Sequence, residues 1–200
     1  GEPTGIALSE ETGWMDGPEY TESQGQTWYE GNTLPAAIGQ GNSRFTPLQL
    51  ANYVATLANG GTHYAAHLLK EVKSNDFSQV VERYEPIVLN QLDIDPENLS
   101  AVTEGMLRVT TDGSAKAYFA DLGVQVAAKT GSAQVSSATE SNALFVCFAP
   151  YEDPEIALAI VVEKGGSGSL LASIAAEILE YYFSSGSGME TVTTENTLLR

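Results

Sequence analysis

Val124-Gln125-Val126-Ala127-Ala128-Lys129-Thr130-Gly131-Ser132-Ala133-Gln134-Val135, Ala143-Leu144-Phe145-Val146-Cys147-Phe148-Ala149 and Glu155-Ile156-Ala157-Leu158-Ala159-Ile160-Val161-Val162-Glu163 are three strand-like runs. A Ser-rich link separates the first two, and Pro150-Tyr151-Glu152-Asp153-Pro154 separates the second from the third. Parallel strands need a crossover of about a dozen residues or more, so links this short make the three runs an antiparallel meander. Ser169 then reads as the cap of a last helix running to Phe183, with Leu171, Ile174, Ile178 and Tyr182 on the face that would lie on the sheet. The expected fold is mixed α and β (α+β), an antiparallel sheet flanked by helices.

Upstream, Thr46-Pro47 gives an N-cap with proline at the first helical position, and Leu50, Val54, Leu57 and Ala58 share a face before Asn59-Gly60-Gly61 stops the helix. Tyr64 to Val72 and Phe77 to Leu89, on either side of Ser74-Asn75-Asp76, predict a hairpin. Asp95-Pro96 repeats the cap-and-proline start, and Leu99, Val102, Met106 and Val109 predict a core-facing stripe on a helix of about four turns. Residues 1 to 45 hold eight glycines and three prolines and sustain no period, so they read as turns and irregular structure. Compact domains seldom open on so much unpaired chain, which leaves a functional loop or the middle of a domain that begins elsewhere. Residues 184–200 read as a polar, mobile tail.

The chain of 200 residues is long enough to bury roughly 70% of its unfolded surface. Nine Lys and Arg against 26 Asp and Glu give a net charge of −17, a field that repels phosphate backbones and anionic lipid, so no nucleic-acid partner is expected. Cys147, the single cysteine, lies in an apolar run and reads as a buried free thiol. No stretch has the eighteen or so consecutive apolar residues of a membrane span, and Gly1-Glu2-Pro3-Thr4 has no signal-peptide character.

Chemistry concentrates at Lys129-Thr130-Gly131-Ser132. Strand alternation puts Lys129 and Gly131 on one face and Ala128, Thr130 and Ser132 on the other. A cation beside a position with no side chain suits an extended peptide lying on a strand edge, with Lys129 and nearby hydroxyls holding a carboxylate. This K-T-G segment resembles the third signature of penicillin-binding transpeptidases. Trp28-Tyr29-Glu30-Gly31-Asn32-Thr33-Leu34-Pro35, Ile38-Gly39-Gln40-Gly41, Thr46-Pro47-Leu48-Gln49-Leu50-Ala51 and Ala58-Asn59-Gly60-Gly61 resemble, in order and spacing, the run that precedes K-T-G in class B penicillin-binding proteins. The elongation-type branch, associated with cell-wall biogenesis and cell shape, fits best. Gly1 to Ile6 resembles the segment just after that family's second motif, so residues 1–183 read as the C-terminal portion of a transpeptidase domain.

No serine in the chain has Lys three positions on or Asn two positions on, so the nucleophile and second motifs are absent from these 200 residues. The resemblance implies a penicillin-binding protein/serine β-lactamase-like fold whose N-terminal part lies outside this chain. It implies a complete protein in which an upstream serine attacks the D-Ala-D-Ala carbonyl of a peptidoglycan stem peptide and β-lactam antibiotics acylate the same serine. The chain alone is expected to be inactive. Lys129 would be the catalytic cation and proton relay, Thr130 the carboxylate-binding hydroxyl, Gly131 the gap, and the Ser132 N–H one oxyanion donor. No cofactor or metal is implied. The expected location is the extracytoplasmic face of the bacterial plasma membrane, anchored by a segment outside this chain. A non-catalytic peptide-binding or β-lactam-sensing module of the same fold is the alternative.

Other constellations carry less. His63 and His67 lie about 13 Å apart along an extended run, too far to share one ion. Asp93 and Asp95, Glu10 and Glu11, and Glu152, Asp153 and Glu155 read as solvated turns without the EF-hand pattern. Gly165-Gly166-Ser167-Gly168-Ser169 lacks the ending of a Walker loop and reads as a tight strand-to-helix connection.

Overall fold

A computed structural model describes residues 1–135 and 138–185. The first 45 residues contain two short helices where only turns were expected, α1 (Pro18–Ser23) and α2 (Glu30–Ala37). Neither is long or buried enough to print a period on the sequence. Proline pre-sets the first turn of α1, and α2 buries none of its residues and carries Pro35 inside it. A two-way backbone bridge between Trp14 and Arg44 closes the segment on itself.

Helix α3 (Pro47–Ala58) starts as its sequence predicts. Thr46 Oγ1 accepts the Gln49 N–H while Gln49 Oε1 accepts the Thr46 N–H, a full capping box. Val54 and Leu57 are buried on its inner face. The expected hairpin folds back on itself but breaks into two antiparallel ribbons, β1 (Thr62–Tyr64) with β4 (Val88–Gln91) and β2 (Glu71–Lys73) with β3 (Val80–Arg83). The register slips once in each. Every residue of β3 and β4 is exposed.

Helix α4 (Pro96–Thr111) is capped by Asp95, whose carboxylate accepts the Glu97 N–H. Its stripe differs from the expectation at Val102, which is 51% exposed. The inner line runs instead through Leu99, Thr103, Met106 and Thr110, and its two threonines donate to main-chain carbonyls, which makes a polar residue tolerable there. The short α5 (Lys116–Phe119) follows.

Strands β5 (Ala127–Ala133), β6 (Asn142–Ala149) and β7 (Ile156–Val162) form the predicted antiparallel meander in the order β5-β6-β7, without a register slip. Ala143, Phe145, Cys147 and Ala149 of the central strand enter one core with Ala128, Leu171, Ala172, Ala175 and Leu179. Phe148 enters a second, with Ala127, Val54, Leu57 and Met106. The sheet is thus sandwiched between two helical layers. Burial pushes the Cys147 thiol up to about 12, as a sealed free cysteine requires.

A 3-10 turn (Gly168–Leu171) precedes α6 (Ala172–Ser185). Ser167, not Ser169, caps that turn, its Oγ accepting the Ser169 N–H. The buried face of α6 is rotated from the expected stripe: Leu171 is buried, but Ile174, Ile178 and Tyr182 are exposed, and Ala172, Ala175 and Leu179 face the sheet. Alanine has almost no side chain to hold the helix off, so that face packs closely and the bulkier residues turn outward. The predicted tail begins inside this helix, at Ser184, and its remainder, 186–200, lies outside the described residues.

Candidate functional site

The K-T-G segment occupies the middle of β5, an edge strand of the meander. Lys129 stands opposite Val146, Thr130 opposite Phe145, Gly131 opposite Leu144 and Ser132 opposite Ala143. In an antiparallel pair one residue's N–H and C=O point together, alternately toward the partner strand and away. The Val126 carbonyl accepts from Thr110 Oγ1, the Thr130 carbonyl from Lys129 Nζ at 2.7 Å, and the Ser132 carbonyl from Gln40 Nε2 at 3.3 Å. Donors from outside the sheet can reach only the unpaired side, so the even-numbered residues direct their main-chain groups to the free edge. Lys129 lays its ammonium along that edge. It is the only Lys or Arg between Lys116 and Lys164 in a chain of net charge −17.

Gly131 shares a face of the strand with Lys129 by alternation. A Cβ at Gly131 would sit 3.3 Å from the Cβ of Leu144, its cross-strand partner, which is tighter than ordinary contact. The stricter glycine is Gly168, which sequence reasoning placed only within a tight connection. A Cβ at Gly168 would lie 2.2 Å from both the Gly131 and Leu144 carbonyl oxygens, so no larger residue fits without moving main chain. From that position the Gly168 N–H donates to Ser132 Oγ at 3.2 Å. The 3-10 turn therefore braces the K-T-G strand from behind, and the Ser132 hydroxyl is held by it. Thr130, half-buried, shares that face of the strand by alternation.

Gln40 also escaped sequence reasoning as an individual residue, although Ile38-Gly39-Gln40-Gly41 belongs to the resembling blocks. Its contact with Ser132 spans 92 positions of sequence. The site lies on a strand edge, and two concavities elsewhere, 540 and 690 Å³ in volume, are lined by no residue of β5. His63 lies in β1 with Nδ1 3.3 Å from the Asn90 amide nitrogen, and His67 stacks on Tyr84 at 3.8 Å. Among the described residues no three His, Cys, Asp or Glu side chains converge as a metal site. Glu10 is more engaged than a solvated turn residue, accepting from Thr4 Oγ1 and the Gly5 N–H; Thr4 and Gly5 hold its carboxyl below the ordinary range. No helix among the described residues is long and apolar enough to cross a membrane.

Residues 1–180 match the family described as penicillin binding protein transpeptidase domain. The chain is 33% identical to the peptidoglycan D,D-transpeptidase MrdA of Escherichia coli, over 90% of this chain and 31% of that protein. A crystal structure of Pseudomonas aeruginosa PBP2 in complex with WCK 5153 is 36% identical and superposes with a TM-score of 0.71, over 86% of this chain and 38% of the other. PBP2 from Helicobacter pylori, in its complex with MreC, is 28% identical with a TM-score of 0.75, over 94% of this chain and 34% of the other. The chain spans a quarter to a third of the length of the curated relatives it matches.

Proposed function

The chain belongs to the penicillin-binding protein transpeptidase family, and from that premise we propose that it supplies the substrate-binding edge of a serine-type D,D-transpeptidase of the elongation-type branch. The observation that carries the reading is the free edge of β5, where Lys129 Nζ and the main chain of Thr130 and Ser132 face the same side. An extended anionic peptide pairs with such an edge through its own backbone, and its terminal carboxylate meets the Lys129 ammonium.

In the complete protein an upstream serine attacks the penultimate D-Ala carbonyl. The bond to the terminal D-Ala breaks, that residue leaves with a proton, and the serine ester remains. An amine of a second stem peptide then attacks the ester, forming the cross-link and restoring the hydroxyl. Lys129 attracts the donor carboxylate and relays protons at the serine, while the Thr130 hydroxyl approaches the same carboxylate. Gly131 keeps its face of the strand clear, and the Ser132 N–H points to the free edge as an oxyanion donor. β-Lactams acylate the same serine. The names of the relatives support this enzyme over a non-catalytic module. Residues 1–183 form the C-terminal part of that domain, on the extracytoplasmic face of the bacterial plasma membrane, anchored by a segment outside this chain.

The test is the second-order rate constant for acylation of the full-length protein by penicillin. Lys129→Ala should lower it about a hundredfold, the scale of one preorganised charged contact to the transition state, with an unchanged melting temperature because the side chain is exposed. An unchanged rate would make Lys129 an ordinary surface lysine and overturn the reading.

A further inference from the structure

Ser132 has three polar groups besides its participation in the sheet. Its hydroxyl is held from behind by the Gly168 N–H, and its carbonyl is held at the free edge by Gln40 Nε2. Its N–H shares the carbonyl's direction, by the alternation of an antiparallel strand. An extended ligand on this edge needs both groups, donating its own amide N–H to the Ser132 carbonyl and accepting from the Ser132 N–H. The Gln40 amide thus sits on the acceptor that orders such a ligand.

The reach of Gln40 is preset. Its own N–H donates to the Pro35 carbonyl at the end of α2. Next to it, Gly41 takes φ +99°, a conformation that favours glycine, and a Cβ there would lie 2.7 Å from Asp16 Oδ2 and displace that carboxylate. That same carboxylate oxygen accepts the Asn42 N–H at 2.8 Å, and the Asp16 N–H donates to Ser43 Oγ at 2.9 Å. The loop is therefore tied at Pro35, Asp16 and the Trp14–Arg44 bridge, and the Gln40 side chain is what it extends to β5.

We propose that Gln40 is a positioning residue that orients the Ser132 carbonyl to receive the amide N–H of an extended ligand. This rests on the reading of β5 as the substrate edge. A carbonyl oxygen has two lone pairs, so it accepts from Gln40 and from a ligand together. Gln40 need not leave for the ligand to enter, and its hydrogen bond fixes the plane of the peptide group that the ligand meets.

The experiment compares two acylating agents on the full-length protein: a penicillin bearing an acylamino N–H, and a carbapenem, which lacks that group. Gln40→Ala should slow the penicillin about fivefold, the scale of one neutral hydrogen bond, and leave the carbapenem rate within about twofold. Gln40→Glu keeps the length but donates nothing when ionised, and should reproduce the penicillin-specific loss. Both variants should melt with the parent protein. Equal losses for the two agents, a faster penicillin reaction or no change would each overturn the role of Gln40. Lys129→Ala is the separate control: if it slows both agents while Gln40→Ala changes nothing, the substrate edge stands and only the positioning role falls.

Discussion

Two antiparallel regions of this molecule both carry branched apolar residues on their strands and end in opposite states. In the meander, strands of seven or eight residues pair without a slip, and the central strand buries Phe145, Cys147 and Phe148 between two helical layers. In the arm made of the β1–β4 and β2–β3 ribbons, strands of three or four residues slip once in each pair, and Val80, Val81, Val88 and Leu89 stay exposed. The arm strands carry four valines and still expose them, so valine does not decide burial. The difference lies in the alanines. Ala127, Ala128, Ala143, Ala149, Ala172 and Ala175 are fully buried, and they let helices approach the meander closely on both sides. The strands of the arm contain no alanine and carry charge instead, with Glu71 paired to Lys73 and Arg83 on its surface.

That contrast is sharpest in stability. Phe145 is 0% exposed and stacks on Phe119, whereas Val81 is 68% exposed. Phe145→Ala should destabilise the domain by about 3–5 kcal/mol, from lost transfer energy and the cavity left behind. Val81→Ala should stay within about 0.5 kcal/mol of the parent. Denaturant melts of the full-length variants check the pair, and equal losses would contradict the exposure of the arm.

A smaller effect probes the arm's own means of order. Its tip is held by a polar knot in which Ser74 Oγ, Ser78 Oγ and the Ser78 N–H all donate to Asp76. The Ser74 hydroxyl, then the hydroxyl and N–H of Ser78, draw the Asp76 carboxyl from an ordinary 3.8 to about 2. A carboxyl depressed in the folded state stabilises above its unfolded value and loses that contribution as pH falls through the folded one. Exchange protection at Phe77 and Ser78 should therefore fade between about pH 4 and 2 while that of the meander persists, which amide exchange by NMR would follow. Simultaneous loss in both regions would show that the tip has no separate equilibrium.

The same contrast separates what was legible in the sequence from what was not. The meander was legible because run length and short links leave an antiparallel sheet little alternative. Helices α3 and α4 were legible because Thr46-Pro47 and Asp95-Pro96 name their own starts. The inner faces were misread where small or polar residues do the packing: Ala172 and Ala175 in place of Ile174 and Ile178, and Thr103 in place of Val102. A stripe counted in large apolar residues overlooks them. At the site, Lys129-Thr130-Gly131-Ser132 was found through resemblance to a known family. Gln40 and Gly168 were not singled out, because their contacts with Ser132 cross 92 and 36 positions and leave no local period.

The central claim is that the free edge of β5 receives the ligand, and residue-resolved amide exchange of the full-length protein before and after acylation by penicillin tests it most directly. On a strand paired on one side, Lys129 and Gly131 are already bonded to β6, whereas the Ser132 N–H faces outward. The account predicts new protection at Ser132, little change at Lys129 and Gly131, and none in the β1–β4 arm. Protection that appears in the arm, or acylation that leaves Ser132 exchanging as before, would contradict it.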